Sequence, residues 1–422
     1  MSDFFSHFLH NLNEKDFLKL TNDFMSHYVK LTHYVKFDKT KGIISPEKLN
    51  RIEDSLLVGN LQAAVDAIQE ILSAAENAAL EVAVIGESGT GKSSFINALR
   101  GLGPEEEGAA EVGVVETTRE KTPYKHPQYP NVTFWDLPGT GTPTFGPDTY
   151  LEAVGFATFD FFIIISASRF TCNDALLARK IQEAGKNFYF VRNKVDNDLY
   201  SERRGKPQSF QRERVLQQIR DNCLTNLSNI GVPDPRVFLV SNFELHDFDF
   251  PGLQRTMLEE LIAHKRQVFV LMIPPVSEAS IELKRIILKQ IIWLDSVKLA
   301  AVAFISFGSI FKVFDLPEQE ECLKFYKKYF GLDDESTEEN AKKLHTSVQD
   351  IKGELRCLDS SALLQDDSTE AKSFDEKFCA VTGGPFSSII HIRKAYFIRL
   401  KILDAVAQDA KVLLHKTLHA PF

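Results

Sequence analysis

The spacing of apolar residues changes character twice along this chain. Up to about Glu76 they recur every three or four positions, as at Phe8, Leu9, Leu12, Phe17, Leu20, Phe24 and Tyr28. That period predicts amphipathic helices. Asp38–Ser45 breaks it, and Pro46-Glu-Lys then offers a first helical turn with proline near its start, where the missing N–H costs nothing. A further helix is expected over about Leu61–Ala74. From Leu80 to about Asn242 short continuous apolar runs take over: Val82–Ile85, Val132–Trp135, Phe161–Ser166, Phe188–Arg192 and Val237–Val240, mostly separated by helical stretches. Such alternation predicts an α/β fold with a doubly wound, mainly parallel sheet that binds ligands at the carboxyl ends of its strands. After Phe250-Pro251 the helical period returns to the end. Ile281–Leu294 is apolar over a wide arc, and Ile389–Leu414 reads as a long amphipathic helix. Ser336-Thr-Glu-Glu339 reads as a capping box opening a helix that carries Leu344 and Val348, so the acidic run Asp333–Glu339 is a charged first turn, not a metal site. Ser360–Ser373 is polar and reads as a loop. The expected organisation is a helical segment at 1–76, a nucleotide-binding α/β domain at 77–252, and a helical domain at 253–422 packing with the first segment.

The chemistry sits where the expected strands end. Gly86-Glu87-Ser88-Gly89-Thr90-Gly91-Lys92-Ser93-Ser94 follows the first strand and opens a helix, which is the context a phosphate-binding P-loop requires. Glycines let successive backbone N–H groups turn toward a phosphate, and the helix N-terminus adds partial positive charge there. Lys92 can reach the β- and γ-phosphates and the Ser93 hydroxyl can ligate Mg²⁺. Asp136-Leu-Pro-Gly139 follows the second expected strand. It places Asp136 to hold magnesium through water and the Gly139 N–H to sense the γ-phosphate. Asn193-Lys194-Val-Asp196 follows the strand ending at Arg192. Guanine presents two N–H donors on one edge, which the Asp196 carboxylate can accept as a pair, while Asn193 contacts the opposite edge and tethers loops and the Lys194 stem stacks on the ring. Adenine would leave that carboxylate unpaired, at roughly 1–3 kcal/mol or more. Ser241-Asn242 fits the last base-contacting loop. These motifs fall in order on successive strands, so the nucleotide is GTP or GDP with Mg²⁺. Magnesium also needs a switch threonine, Thr117 or Thr118, of which Thr118 is favoured; both close the Glu-, Gly- and Ala-rich stretch Glu105–Thr118.

Two positions depart from small regulatory GTPases. Thr140 stands where such enzymes carry a water-orienting glutamine, and Ser88 stands where Ras-like enzymes have glycine. Slow hydrolysis by a lone molecule is expected, with the site completed by a second one. Composition adds exclusions. The net charge of −9 gives non-specific nucleic-acid binding no electrostatic support. The five cysteines at 172, 223, 322, 357 and 379 show no metal-ligand spacing, which suits a reduced intracellular compartment without structural zinc. Met1-Ser-Asp-Phe-Phe lacks the basic start and long apolar run of a secretory signal.

With these residues in hand, the chain resembles the immunity-related GTPases, the interferon-inducible family of vertebrate cell-autonomous defence. The resemblance covers almost the whole length. It rests on Gly86–Ser94 with Phe95-Ile-Asn-Ala-Leu-Arg-Gly101, on Glu105-Glu-Glu-Gly-Ala-Ala110 and on Pro130-Asn-Val-Thr-Phe-Trp-Asp-Leu-Pro-Gly139. It continues through Tyr150-Leu151, Asp160-Phe-Phe-Ile-Ile-Ile-Ser166, Phe188-Tyr-Phe-Val-Arg192 and Phe330-Gly-Leu-Asp-Asp334. Ala75-Glu-Asn and the P-loop wording look closest to the D subgroup. The resemblance implies a P-loop GTPase domain inserted between N- and C-terminal helical segments that pack together. It also implies GTP-dependent homodimers or polymers, encounters with related immunity GTPases, and action on endoplasmic reticulum, Golgi or pathogen-vacuole membranes. By motif position it makes Glu116 the switch glutamate that assists hydrolysis across the dimer, and Lys92, in place of methionine, marks an effector member. Asn193 stands where many relatives have threonine, which restores the general guanine-binding pattern.

Membrane contact is expected to be peripheral, from a cytoplasmic protein. Ser2 replaces the glycine that myristoylation needs, and Ala420-Pro-Phe offers no prenylation signal. Leu299–Phe311, the most apolar stretch, is too short for a bilayer, which takes about 20 residues, and reads as an internal helix. Two other functions compete with a hydrolysing, assembling GTPase: a GTP-loaded regulatory module with negligible turnover, and a nucleotide kinase or ATPase.

Overall fold

The computed structural model describes residues 44–113, 120–127, 129–138, 155–261, 263–305, 316–355 and 385–418. The expected helices before residue 44, the polar stretch 360–373, and Thr117, Thr118, Glu116, Gly139 and Thr140 lie outside the described residues. The chain divides into two compact units. One comprises Asn77–Leu261 with Leu271–Ser280, and the other takes the chain on either side, Met1–Glu76, Ile262–Val270 and Ile281–Phe422.

Along the chain the described helices are α1 (Pro46–Leu57), α2 (Leu61–Glu76), α3 (Lys92–Arg100), α4 (Cys172–Glu183), α5 (Val195–Gly205), α6 (Arg212–Asn229), α7 (Phe250–Glu260), α8 (Ala263–Met272), α9 (Glu278–Ile305), α10 (Leu316–Tyr329), α11 (Asp334–Lys343), α12 (Val348–Glu354) and α13 (Pro385–Leu418). The strands are β1 (Leu80–Ile85), β2 (Thr122–Lys125), β3 (Val132–Asp136), β4 (Phe161–Ser166), β5 (Phe188–Arg192) and β6 (Val237–Leu239).

The six strands form one sheet in the order β2-β3-β1-β4-β5-β6. All neighbours run parallel except β2 and β3. The sheet is mixed and mainly parallel, helices separate most of its strands, and it is inserted between helical segments. Every residue of β4 is buried, as are all of β1 except Glu81, which is why those strands read as unbroken apolar runs. Strand β2 was not expected from the sequence. Pro123 lies inside it and its side chains alternate between half-buried and exposed, so no apolar run announces it; proline is tolerated because the strand is an edge.

Strand β1 is the pivot. Its neighbours are β3 on one side and β4 on the other, so successive connections leave β1 in opposite directions. Its carboxyl end is therefore the switch point of the topology, where doubly wound sheets bind ligands in a crevice. Underneath, Phe95 of α3 meets Phe250 of α7 edge to face at 5.9 Å between ring centres, and both are fully buried.

The helical unit is built from capped amphipathic pieces. Ser45 caps α1 by accepting from the Lys48 N–H at 3.3 Å, and Leu49, Ile52 and Leu56 form its buried stripe. Gln69 of α2 accepts from Lys298 of α9, so the segments before and after the sheet share this unit. Helices α9 and α13 are joined through Asp404, which takes Arg285 Nε at 2.6 Å and Lys289 Nζ at 2.9 Å, and through Glu282 and Lys411 at 3.4 Å. The expected capping box at Ser336 is corrected: Asp333 is the N-cap of α11, accepting from the Ser336 N–H at 3.2 Å and the Ser336 hydroxyl at 2.8 Å. A carboxylate is as good a cap as a hydroxyl, and its charge is favoured at the positive end of the helix. That helix also ends before Leu344, and Val348 starts α12 behind its own cap, Ser347. No described helix is long and apolar enough to cross a membrane.

Candidate nucleotide-binding site

The loop Gly86–Gly91 leaves the buried end of β1 and enters α3. Gly86 is required by space: a Cβ there would lie 2.1 Å from the Ile165 carbonyl oxygen of β4. Gly91 is required by conformation and space together. It caps α3 with φ 91°, and a Cβ would sit 2.6 Å from Asn193 Nδ2 and 3.2 Å from Asn242 Nδ2. Lys92, buried at 7% exposure, folds back over the loop toward the carbonyls of Gly86 at 3.3 Å and Glu87 at 3.2 Å. Ser88 and Gly89 stand exposed at the tip, whereas Thr90 is buried with its hydroxyl donating to Glu87 O at 2.9 Å. Ser94 is half-buried in the first turn of α3.

Asp136, wholly buried at the end of β3, accepts a 2.6 Å hydrogen bond from the Ser93 hydroxyl. A hydroxyl and a carboxylate brought together at a helix N-terminus supply hard oxygen donors, which suit Mg²⁺. The two sequence motifs that should share a metal are therefore adjacent in space, 43 residues apart along the chain.

The residues expected at the base end of the site converge on the same loop from the other side. Asn193 follows β5, is fully buried, and donates to Thr90 O at 2.9 Å. Lys194, at φ 59°, donates to Gly89 O at 2.8 Å. Asn242, after β6, donates to Gly91 O at 3.1 Å, and Ser241 behind it is buried. Asp196 lies in the first turn of α5. The surroundings of Asp196 are electronegative. Burial, then the charges of Asp196 and Asp247, push Glu244 above the ordinary carboxyl range. Burial pushes Asp198 up, against the Arg192 guanidinium and with the charge of Asp196. Among the described residues, the buried amide oxygens of Asn193 and Asn242 also find no protein donor, and such atoms call for a ligand or water. The residues present thus fit a guanine nucleotide at one end and a magnesium-bound phosphate at the other.

A family model, Interferon-inducible GTPase (IIGP), matches residues 45–417. The chain belongs to this family. Interferon-gamma-inducible GTPase 10 of Mus musculus is 45% identical over 392 residues, covering 92% of this chain and 93% of that protein. T-cell-specific guanine nucleotide triphosphate-binding protein 2 of Mus musculus is 45% identical, over 90% of this chain and 92% of its own length. Interferon-inducible GTPase 1 of Mus musculus is 41% identical, covering 90% and 93%. As an interferon-inducible GTPase, the chain carries a P-loop GTPase fold inserted between helical segments.

Several supports of the site were not foreseen. Arg192, just before the base motif, is buried, donates to Asn193 O at 2.8 Å and pairs with Asp198 at 2.6 Å. Asn97 in α3 holds Ala110 by both backbone groups, donating to its carbonyl at 2.9 Å and accepting from its N–H at 2.6 Å. That anchors the chain shortly before residue 114. Asn173 in α4 donates to Glu87 Oε1 at 2.9 Å. Burial pushes the neighbouring Asp174 carboxyl up, against hydrogen bonds from Thr171, with which it forms the capping box of α4.

Proposed function

We propose that this interferon-inducible GTPase binds GTP with Mg²⁺ in the crevice at β1, hydrolyses it slowly alone and faster when a second copy closes over the nucleotide. The carrying observation is the convergence of Asn193, Lys194 and Asn242 on three successive carbonyls of the loop that Lys92 and Ser93 complete. Phosphate cradle and base-reading loops are one connected structure. The name of one relative, guanine nucleotide triphosphate-binding protein, supports the choice of base.

In this reading Lys92 and the N–H groups at the start of α3 hold the phosphates. Ser93 would ligate Mg²⁺ directly, Asp136 through water, and Thr118 would complete the set. Magnesium held there would supply charge neutralisation for the β- and γ-oxygens. The Gly139 N–H would sense the γ-phosphate, Asp196 would accept the two guanine donors, and Lys194 would cover the ring. Glu116 of one copy would assist hydrolysis in its neighbour. The cycle would drive homodimers or polymers, and contacts with related immunity GTPases, on endoplasmic reticulum, Golgi or vacuole membranes reached peripherally from the cytoplasm.

Turnover per molecule, measured over a protein concentration series alongside light scattering, tests this. We expect specific activity and scattering to rise together with concentration, and Glu116→Ala to remove the rise. Flat activity unaltered by Glu116→Ala would leave a GTP-loaded regulatory module instead. Flotation with vesicles in GTP and in GDP checks the membrane step, with flotation expected only in GTP.

A further inference from the structure

A peptide unit is planar and trans. Fixing a carbonyl oxygen therefore also fixes the N–H of the next residue, aimed the opposite way. The phosphate loop has three successive carbonyls fixed from outside: Gly89 by Lys194 at 2.8 Å, Thr90 by Asn193 at 2.9 Å and Gly91 by Asn242 at 3.1 Å. The last of these is the most consequential for the helix. Gly91 is the N-cap of α3 and has no side chain to cap with; its carbonyl already accepts the first helical hydrogen bond, from the Phe95 N–H at 2.9 Å. A glycine at φ 91° is conformationally soft, so a second bond to that carbonyl decides how firmly the following peptide is aimed.

Asn242 is built to supply it. A carbonyl can only accept, so the amide must present Nδ2 to Gly91 and its orientation is settled. Behind it, Ser241 is 1% exposed and its hydroxyl accepts from the Phe243 N–H at 3.3 Å, which stiffens the turn that carries Asn242. The contact also spans 151 residues of chain, so it ties the last strand's loop to the first.

We infer that Asn242 is a positioning residue for the phosphates: its side chain holds the Gly91–Lys92 peptide so that the N–H at the helix start is aimed for a diphosphate, and it does not select the base. This rests on the guanine-nucleotide reading above. The amide then acts on nucleotides that carry a β-phosphate and leaves base preference alone.

The full-length chain with Asn242→Ala, titrated with GDP, GMP and xanthosine diphosphate, separates these roles. GDP affinity should fall about tenfold, in line with one lost hydrogen bond to a preorganised peptide. GMP affinity should stay within about twofold, since GMP lacks the β-phosphate, and the GDP-to-xanthosine-diphosphate ratio should not move, since both diphosphates weaken alike. Unchanged GDP affinity, an equal fall for GMP, or a shifted base ratio would each overturn the inference. Asn242→Asp keeps the side chain's size and removes the donor, so it decides the matter should the alanine variant fail to fold; it should lose GDP affinity at least as strongly. A wild-type chain that binds neither GDP nor GTP would sink the nucleotide reading itself, a different outcome from a wild type that binds and a variant that matches it.

Discussion

The crevice at β1 and the α9–α13 seam of the helical unit are both held by polar side chains, yet in opposite ways. At the crevice, buried amides and cations bind backbone carbonyls at fixed directions, as Asn193 does Thr90 O and Arg192 does Asn193 O. At the seam, flexible charged ends meet one another, with Asp404 taking Arg285 and Lys289 while 44% of its side chain remains exposed. A backbone partner cannot move without moving the fold, whereas a half-exposed ion pair can be replaced by water. The first arrangement fixes geometry and the second adds modest attraction. Substitutions should therefore be severe in the crevice and mild at the seam.

The largest effect is expected at Gly86. A methyl there meets the Ile165 carbonyl at 2.1 Å and the Ile165 carbonyl carbon at 3.1 Å, both backbone atoms of a fully buried strand. Gly86→Ala should cost about 3 kcal/mol or more of stability and abolish GDP binding, read by urea unfolding and by nucleotide titration. Next is Arg192→Leu. It leaves the half-buried Asp198 without its partner and the buried Asn193 O without its donor; the lost charge-assisted hydrogen bonds, discounted for the exposure of Asp198, should cost about 2 kcal/mol, and GDP affinity should fall with it because the loop after β5 loses its support.

These residues also mark how far the sequence carries. That the P-loop, Asp136 and Asn193-Lys194-Val-Asp196 stand at strand ends beside one another could be read directly, because each motif is a short run that follows an apolar strand. The mainly parallel sheet could be read because its strands are apolar on both faces. Strand β2 could not, since an exposed edge with Pro123 inside has no apolar signature. Nor could the bonds of Asn173 to Glu87 or Asn242 to Gly91, which join residues 86 and 151 positions apart. A lone asparagine on a helix or turn looks the same whether or not a distant backbone waits for it. The cap of α11 at Asp333 was hidden by a competing motif three residues on.

The seam unit also offers a titration, of a buried lysine. Lys284 of α9 is buried with its ammonium 5.9 Å from the Tyr329 ring centre, and burial pulls it down to about 7. A lysine whose folded pKa is depressed binds fewer protons folded than unfolded between that value and its ordinary one. Stability therefore rises with pH across that window. We expect the helical unit to gain roughly 1 kcal/mol per pH unit from about pH 7.5 to 9.5, followed by hydrogen exchange of α9, and Lys284→Met to flatten that slope.

The smallest effect belongs to Asp404. Burial pushes its carboxyl up, but hydrogen bonds from Arg285 and Lys289 and the charges of both outweigh it and hold the group below the ordinary carboxylate range. A depressed folded pKa contributes stability above the unfolded value of about 4, and that contribution is lost as pH falls through the folded value. Because the side chain is nearly half exposed, screening limits it to less than about 1 kcal/mol. Asp404→Asn should therefore lower the urea midpoint of the helical unit slightly at pH 7. The gap from wild type should shrink in 1 M salt and narrow as pH falls below the ordinary carboxylate range, with GDP affinity at pH 7 unchanged. A loss as large as that of Arg192→Leu, or one insensitive to salt, would mean that the seam fixes geometry as the crevice does, and the contrast between the two regions would fail.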